Sequence, residues 1–294
     1  MEPNKIQRYK RVLTGSFACL VILALLLGFE TFFLLTRGWS PRPAKPAGTP
    51  AAAMWQPPLA STIPSGEKGA AILYGQSLIS ETAQYFGPNG SVRHLSNGMN
   101  CQNCHLQAGT KPFGNNFSLT SASYPKFMAR SNSIDTLNKR ISDCFERSLN
   151  GTPPDSNSRE VAALKAYIEW LGSEVNTPGK PAGSGIRKLA FLTRAADPVK
   201  GGQVYKAVCQ TCHGANGEGV KAENGIVFTY PQLWGPDSYN DGAGLYRLSS
   251  FAGYVKYNMP FGVTYNAPRL TDEEAWDVAA FVNSPPRPHK GQSA

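Results

Sequence analysis

Two five-residue strings, CQNCH at 101–105 and CQTCH at 209–213, constrain what this chain can fold into more than anything else in it. In each, two thiols stand three positions apart and a histidine follows at once. A zinc site or a redox dithiol would use the cysteine pair, but neither calls for an immediate histidine twice over. Covalent haem attachment calls for all three residues. Both thiols add to the vinyl groups, and the histidine lies under the iron as its proximal ligand. The sequence therefore predicts two covalently bound haem c groups, held by Cys101, Cys104 and His105 and by Cys209, Cys212 and His213. Cys19 and Cys144 are the other cysteines, so the six form no disulfide framework.

The chain repeats itself around these strings. Tyr124-Pro125 follows His105, with the proline 20 residues on; Tyr230-Pro231 follows His213, with the proline 18 on. Each half then ends in an amphipathic helical pattern, REVAALKAYIEWL over 159–171 and TDEEAWDVAAFV over 271–282. Alternating strand-like runs are scarce, and 29 Gly with 23 Pro argue for long connections. The expected fold is all-α: two cytochrome c-like haem domains in tandem, over residues 67–176 and 191–285, behind an N-terminal transmembrane helix. A haem supplies the apolar core that so small a helical domain otherwise lacks. Residues 177–190 read as a linker and 286–294 as a tail, where His289 is expected to be solvated. Pro125 and Pro231 are candidates for the backbone carbonyl that orients each proximal histidine.

Residues 16–35 carry one charge, Glu30, over the length of a membrane-crossing helix. Lys5, Arg8, Lys10 and Arg11 precede this run, which directs the residues beyond it to the far side of the membrane. The strictly apolar stretch, 17–29, also suits a signal peptide, but no small-residue cleavage site comes directly after it. Residues 1–37 are thus expected to be an uncleaved anchor in the bacterial inner membrane, with a cleaved, soluble periplasmic form as the alternative. Cys19 is then an apolar residue of the anchor. Residues 38–66, rich in Pro and Ala, read as an extended tether. The net charge is +9, scattered and without a nucleic-acid module, so no nucleic-acid partner is expected. Small anions are natural partners of such a surface.

Cys144 stands alone in RISDCFERSLNG. In the second half, Met259 lies 21 residues before Ala280; in the first, Cys144 lies 22 residues before the corresponding Ala166. Methionine sulfur is a common sixth ligand of haem c, so the repeat predicts His213 and Met259 on one iron and His105 and Cys144 on the other. Met128 is out of register, Met99 falls on the proximal side, His94 reads as a surface residue and Lys256 as a solvated one. A thiolate favours ferric iron and lowers the potential, which suggests a catalytic first haem and an exit haem behind it. Lys111, Lys126, Arg130, Lys139, Arg140 and Arg147 cluster around this cysteine in sequence. A helix over 135–149 puts Arg140, Cys144 and Ser148 on one face, a guanidinium and a hydroxyl beside a sulfur, suited to a small oxyanion. Lys139 and Arg147 read as solvated.

The stretch YPKFMARSNSIDTLNKRISDCFERSLNG, with CQNCHLQAG before it and NMPFG late in the second half, resembles the dihaem thiosulfate dehydrogenases. The resemblance covers about residues 67–285. It implies that two thiosulfate ions are joined to tetrathionate, reversibly in some members, with electrons leaving through the haems to an acceptor such as a small cytochrome c or a membrane oxidase. It also implies that Arg130, Arg140 and Ser148 line an anion site near Cys144. The alternatives are a non-catalytic dihaem electron carrier, against which Cys144 speaks, and a haem subunit of another sulfur-oxidising complex.

Overall fold

The computed structural model describes residues 17, 20–32, 54–175, 180–223 and 225–291. The chain divides into two units, Met1–Ala52 and Ala53–Ala294. In the first, residues 20–32 are helical with exposed side chains. Among the described residues no helix is long and apolar enough to cross a membrane. The remainder of the expected anchor over 1–37, Cys19 included, lies outside the described residues apart from Phe17.

The second unit holds both halves of the repeat. Helix α1 (Glu67–Ser80) leads into α2 (Thr82–Phe86); α3 (Leu137–Arg147) and α4 (Arg159–Leu171) complete the first half. Helix α5 (Pro198–Val204), α6 (Leu248–Asn258) and α7 (Asp272–Asn283) build the second. The starts follow capping chemistry. Thr136 and Ser158 accept from the backbone N–H of Lys139 and Val161. Asp197 caps α5 ahead of Pro198, and Thr271 forms a capping box with Glu274.

In each half the first and last helices cross at a glycine. A Cβ on Gly75 would lie 2.1 Å from the Ala163 carbonyl oxygen, and one on Gly201 would lie 2.0 Å from that of Asp277. Only a residue without a side chain allows so close an approach. Ile72, Leu78, Phe86, Phe145, Leu164 and Leu171 are buried around the first crossing, and Tyr205, Phe251, Val278 and Val282 around the second. Gly75→Val should therefore force the first crossing apart and cost roughly 3 kcal/mol, read as a lowered denaturation midpoint of the holoprotein.

The helical fold carries additions and corrections. Two small antiparallel hairpins are present: β1 (Lys126–Met128) with β2 (Ser133–Asp135), and β3 (Val220–Lys221) with β4 (Phe228–Tyr230). The helix expected over 135–149 is shorter, because Asp135 ends β2, Thr136 caps α3 and Ser148 closes it. The expected linker over 177–190 is not a free one. Residues 177–179 lie outside the described residues, but Gly183 O accepts from Phe113 N at 2.7 Å and from Asn116 Nδ2 at 2.8 Å, and Ser184 is buried. Likewise the tether over 38–66 is described only from Met54, where Trp55 is buried and donates its backbone N–H to Ala182 O. Proline and glycine rule out regular structure, but they leave the backbone free to bond elsewhere. The tail also docks: Lys290 pairs with Glu146 at 3.2 Å, and His289 Nδ1 lies 2.5 Å from Asp241.

Polar bonds join the two halves. Asn240 Nδ2 donates to Glu146 O (2.8 Å) and Asn150 Oδ1 (3.0 Å), and Asn97 Nδ2 to Asp237 O (2.8 Å). The Arg187 guanidinium stacks over the rings of Phe113 and Tyr257. Asn258 Nδ2 reaches back to Phe113 O at 3.1 Å.

Candidate functional site: two cavities with a shared wall

The first cavity, about 330 Å³, is lined by Cys101, Cys104, His105, Arg140, Cys144 and Ser148 over an apolar floor that includes Ile141, Phe145 and Leu164. The His105 ring stacks on Phe117 with centroids 4.3 Å apart. Its Nδ1 lies 2.5 Å from Asn115 O. A carbonyl only accepts, so Nδ1 carries the proton and Nε2 keeps a free lone pair. Burial pulls His105 down to about 4, against the Asn115 bond, so the ring is neutral at pH 7. The carbonyl expected from Pro125 is thus supplied by Asn115, whose left-handed backbone (φ 59°) turns the loop after the motif under the ring.

Helix α3 presents Arg140 and Cys144 one turn apart, and Ser148 follows at its C-cap, donating its backbone N–H to Cys144 O at 2.8 Å. The Cys144 sulfur is the main influence that holds the Arg140 guanidinium above its ordinary range, against the opposing effect of burial. Lys139 and Arg147 both bind Asp143, the latter at 3.1 Å, and neither is among the residues that line the cavity. Arg130 is not brought to the cavity wall. It donates to Gly242 O at 3.1 Å, and burial together with Arg147, Arg247 and Arg140 pushes its guanidinium down. Arg130 still lies within electrostatic range of Arg140 and Asp143, and the role that the resemblance implies for it stands as an expectation. The first cavity gains cations that were not assigned to a site, Lys126 on β1 and Lys180.

The second cavity, about 510 Å³, is lined by Cys209, Cys212, His213 and Met259. His213 Nδ1 bonds Pro231 O at 2.9 Å, the partner that the repeat suggested, and burial lowers its pKa. Lys256 is held by Asp272, which leaves Met259 in the cavity. Met99 lies in the same wall, 2 % exposed, on the side of the second cavity. Met128 is on β1 and His94 is exposed; neither lines either of these two cavities. The two cavities share residues: Asn100 and Cys104 line both, and Tyr254 of the second half donates its hydroxyl to Asn103 O at 2.9 Å. Nothing in the sequence pattern marks Asn100 or Tyr254 for this role, because the contact joins residues about 150 apart.

Each cavity fits a haem by its chemistry. A cysteine pair and a neutral imidazole with its Nε2 lone pair free stand in a mostly apolar chamber, and a second sulfur lines the same chamber. Two helical domains, each built around such a chamber, make this a dihaem c-type cytochrome with two covalently bound haem c groups.

Known proteins narrow the class. Residues 92–176 match the family described as SoxA/TsdA, cytochrome c domain, and residues 198–285 match the cytochrome c family. A thiosulfate dehydrogenase of Allochromatium vinosum is 38% identical over 235 residues, covering 79% of this chain and 83% of that protein. One from Stutzerimonas stutzeri is 36% identical over 236 residues, 80% of this chain and 73% of that protein. The solved thiosulfate dehydrogenase (TsdBA) of Marichromatium purpuratum, in its "as isolated" form, superposes with a TM-score of 0.71 at 33% identity, over 80% of this chain. This chain spans half the length of that solved one. The chain belongs to the thiosulfate dehydrogenase family and is an oxidoreductase.

Proposed function

We propose that the protein joins two thiosulfate ions into tetrathionate, releasing two electrons, and that the same site runs the reverse reduction. The observation that carries this reading is the placement of Arg140 and Cys144 one turn apart on the wall of the first cavity, beside Cys101, Cys104 and His105. A new bond forms between the two outer sulfurs, no proton is exchanged, and the two electrons leave one at a time. The purified holoprotein should reduce ferricyanide when thiosulfate is added and accumulate tetrathionate in half the molar amount of thiosulfate lost. Absence of that stoichiometry would return the protein to the electron-carrier reading.

In this reading His105 and Cys144 hold the first iron, and His213 and Met259 the second. A bound haem supplies one-electron redox chemistry at each site. Arg140 draws the oxyanion to the cavity, the Ser148 hydroxyl offers it a further donor, and the apolar floor keeps competing water out. Electrons leave by the wall of Asn100 and Cys104 toward the second cavity. Met259 is neutral and raises the potential there, whereas a thiolate at Cys144 lowers it, so flow toward the second site is downhill. Met259→Gly should shift only the higher-potential wave in a redox titration and slow transfer to the acceptor more than it changes the thiosulfate KM. Movement of the lower wave would reverse the assignment.

The location proposed is the periplasmic face of the bacterial inner membrane, with residues 1–37 as the anchor and 38–53 as the tether. The apolar run and the basic residues before it support this. A small cytochrome c or a membrane oxidase is the proposed acceptor.

A further inference from the structure

The reaction above brings two dianions into one cavity. Arg140 offers one positive charge there, against the four negative charges of two thiosulfate ions. One guanidinium leaves little to hold a second substrate ion against the repulsion of the first.

The cavity supplies two further cations. Lys126 stands on β1, Lys180 on the segment that runs between the two halves, and both line the first cavity. Neither makes an ion pair among the described residues. Lys126 pairs across the hairpin with Asp135, but that carboxylate is buried and takes hydrogen bonds from Ser131 Oγ (3.0 Å) and Ser133 Oγ (2.9 Å). The nearby Asp143 is bound by Lys139 and Arg147. Asp143 is thus engaged by other cations, Asp135 is turned to its serine donors, and neither lysine is held in an ion pair among the described residues. They are exposed, as groups at a mouth rather than at a floor would be.

We propose that Lys126 and Lys180 form the subsite for the second sulfonate: they receive the second thiosulfate ion and hold the far end of the tetrathionate that results. The proposal rests on the thiosulfate reading above. Arg140 then serves the ion next to Cys144, and the lysines serve its partner. Charge without directional hydrogen bonding suits this second position, because the incoming ion must move to meet the first.

The test is steady-state turnover of the holoprotein with thiosulfate and ferricyanide. In Lys126→Gln/Lys180→Gln, the thiosulfate KM should rise about tenfold or more while kcat stays within about twofold, and its dependence on salt should flatten. Inhibition by added tetrathionate should weaken by a similar factor. Lys126→Arg/Lys180→Arg should restore KM to within about threefold. Lys165→Gln on α4, an exposed lysine paired with Glu169 away from the cavity, is the control for overall charge. An unchanged KM in the double glutamine variant overturns the subsite, as does an equal rise in Lys165→Gln, which would mean long-range attraction alone. A wild-type holoprotein that fails to turn over thiosulfate overturns the proposed reaction and the subsite with it.

Discussion

Cys144→Gly is expected to leave both haems attached and turnover lower by about a thousandfold or more, the scale of losing a group that touches the reacting atoms. Attachment should survive because it depends on Cys101, Cys104, Cys209 and Cys212, none of which Cys144 supports by a hydrogen bond. The visible spectrum of one haem should change and that of the other should not. The fold should tolerate the change only in part, since glycine within α3 costs about 1 kcal/mol of helix stability. Cys144→Ala separates the two effects, because alanine keeps the helix and still removes the sulfur. A Cys144→Ala holoprotein with the wild-type spectrum and turnover would remove the sulfur from both the iron and the chemistry.

Arg140→Ala is expected to lower kcat/KM for thiosulfate by roughly 10- to 150-fold, the equivalent of the 1.5–3 kcal/mol typical of hydrogen bonds to charged groups. The loss has two parts. The substrate loses a fork of donors, and Cys144 loses the cation beside it, an interaction visible in the raised pKa of Arg140. Arg140→Lys keeps a charge but not the fork, so it should recover part of the affinity and little of the geometry. If Arg140→Lys matches the wild type, the residue acts as a point charge only. If Arg140→Ala does so, the guanidinium belongs to the fold rather than to the site.

The chemistry-bearing residues were readable because each sits at a fixed offset from a motif. The cysteine pairs and their histidines are contiguous in sequence. The positions of Cys144 and Met259 followed from counting back from the closing helices. Pro231 followed from the repeat, but Pro125 did not, because in the first half it is Asn115, ten residues after His105, whose carbonyl meets the ring. The cations divided by partner rather than by spacing. Lys139 and Arg147 are one turn either side of Asp143 and pair with it, an arrangement that a helical wheel implies. The bond from Arg130 to Gly242 was not readable, since it joins residues more than a hundred apart. The packing of the linker was hidden for a similar reason. Among its described residues there is neither helix nor named strand, but the partners of its backbone, Phe113, Asn115 and Asn116, lie in another loop. Gly75 and Gly201 carried no motif at all, and only the helix crossings show why they are glycines.

The wall of Asn100 and Cys104 has a consequence for how such a chain can be divided. By sequence the protein is two modules, and a cut near residue 180 looks harmless. The second chamber, however, borrows part of its lining from the first module, and Tyr254 is anchored on the first module's backbone. A half-chain beginning after the cut would carry its own attachment cysteines with His213 and Met259, yet its chamber would open to solvent on one side. Water admitted there would stabilise the oxidised, more highly charged iron and pull the potential down. The repeat is therefore one of pattern and not of independent units. Maturation also acquires an order, because the second chamber is complete only once the first attachment loop has closed against it.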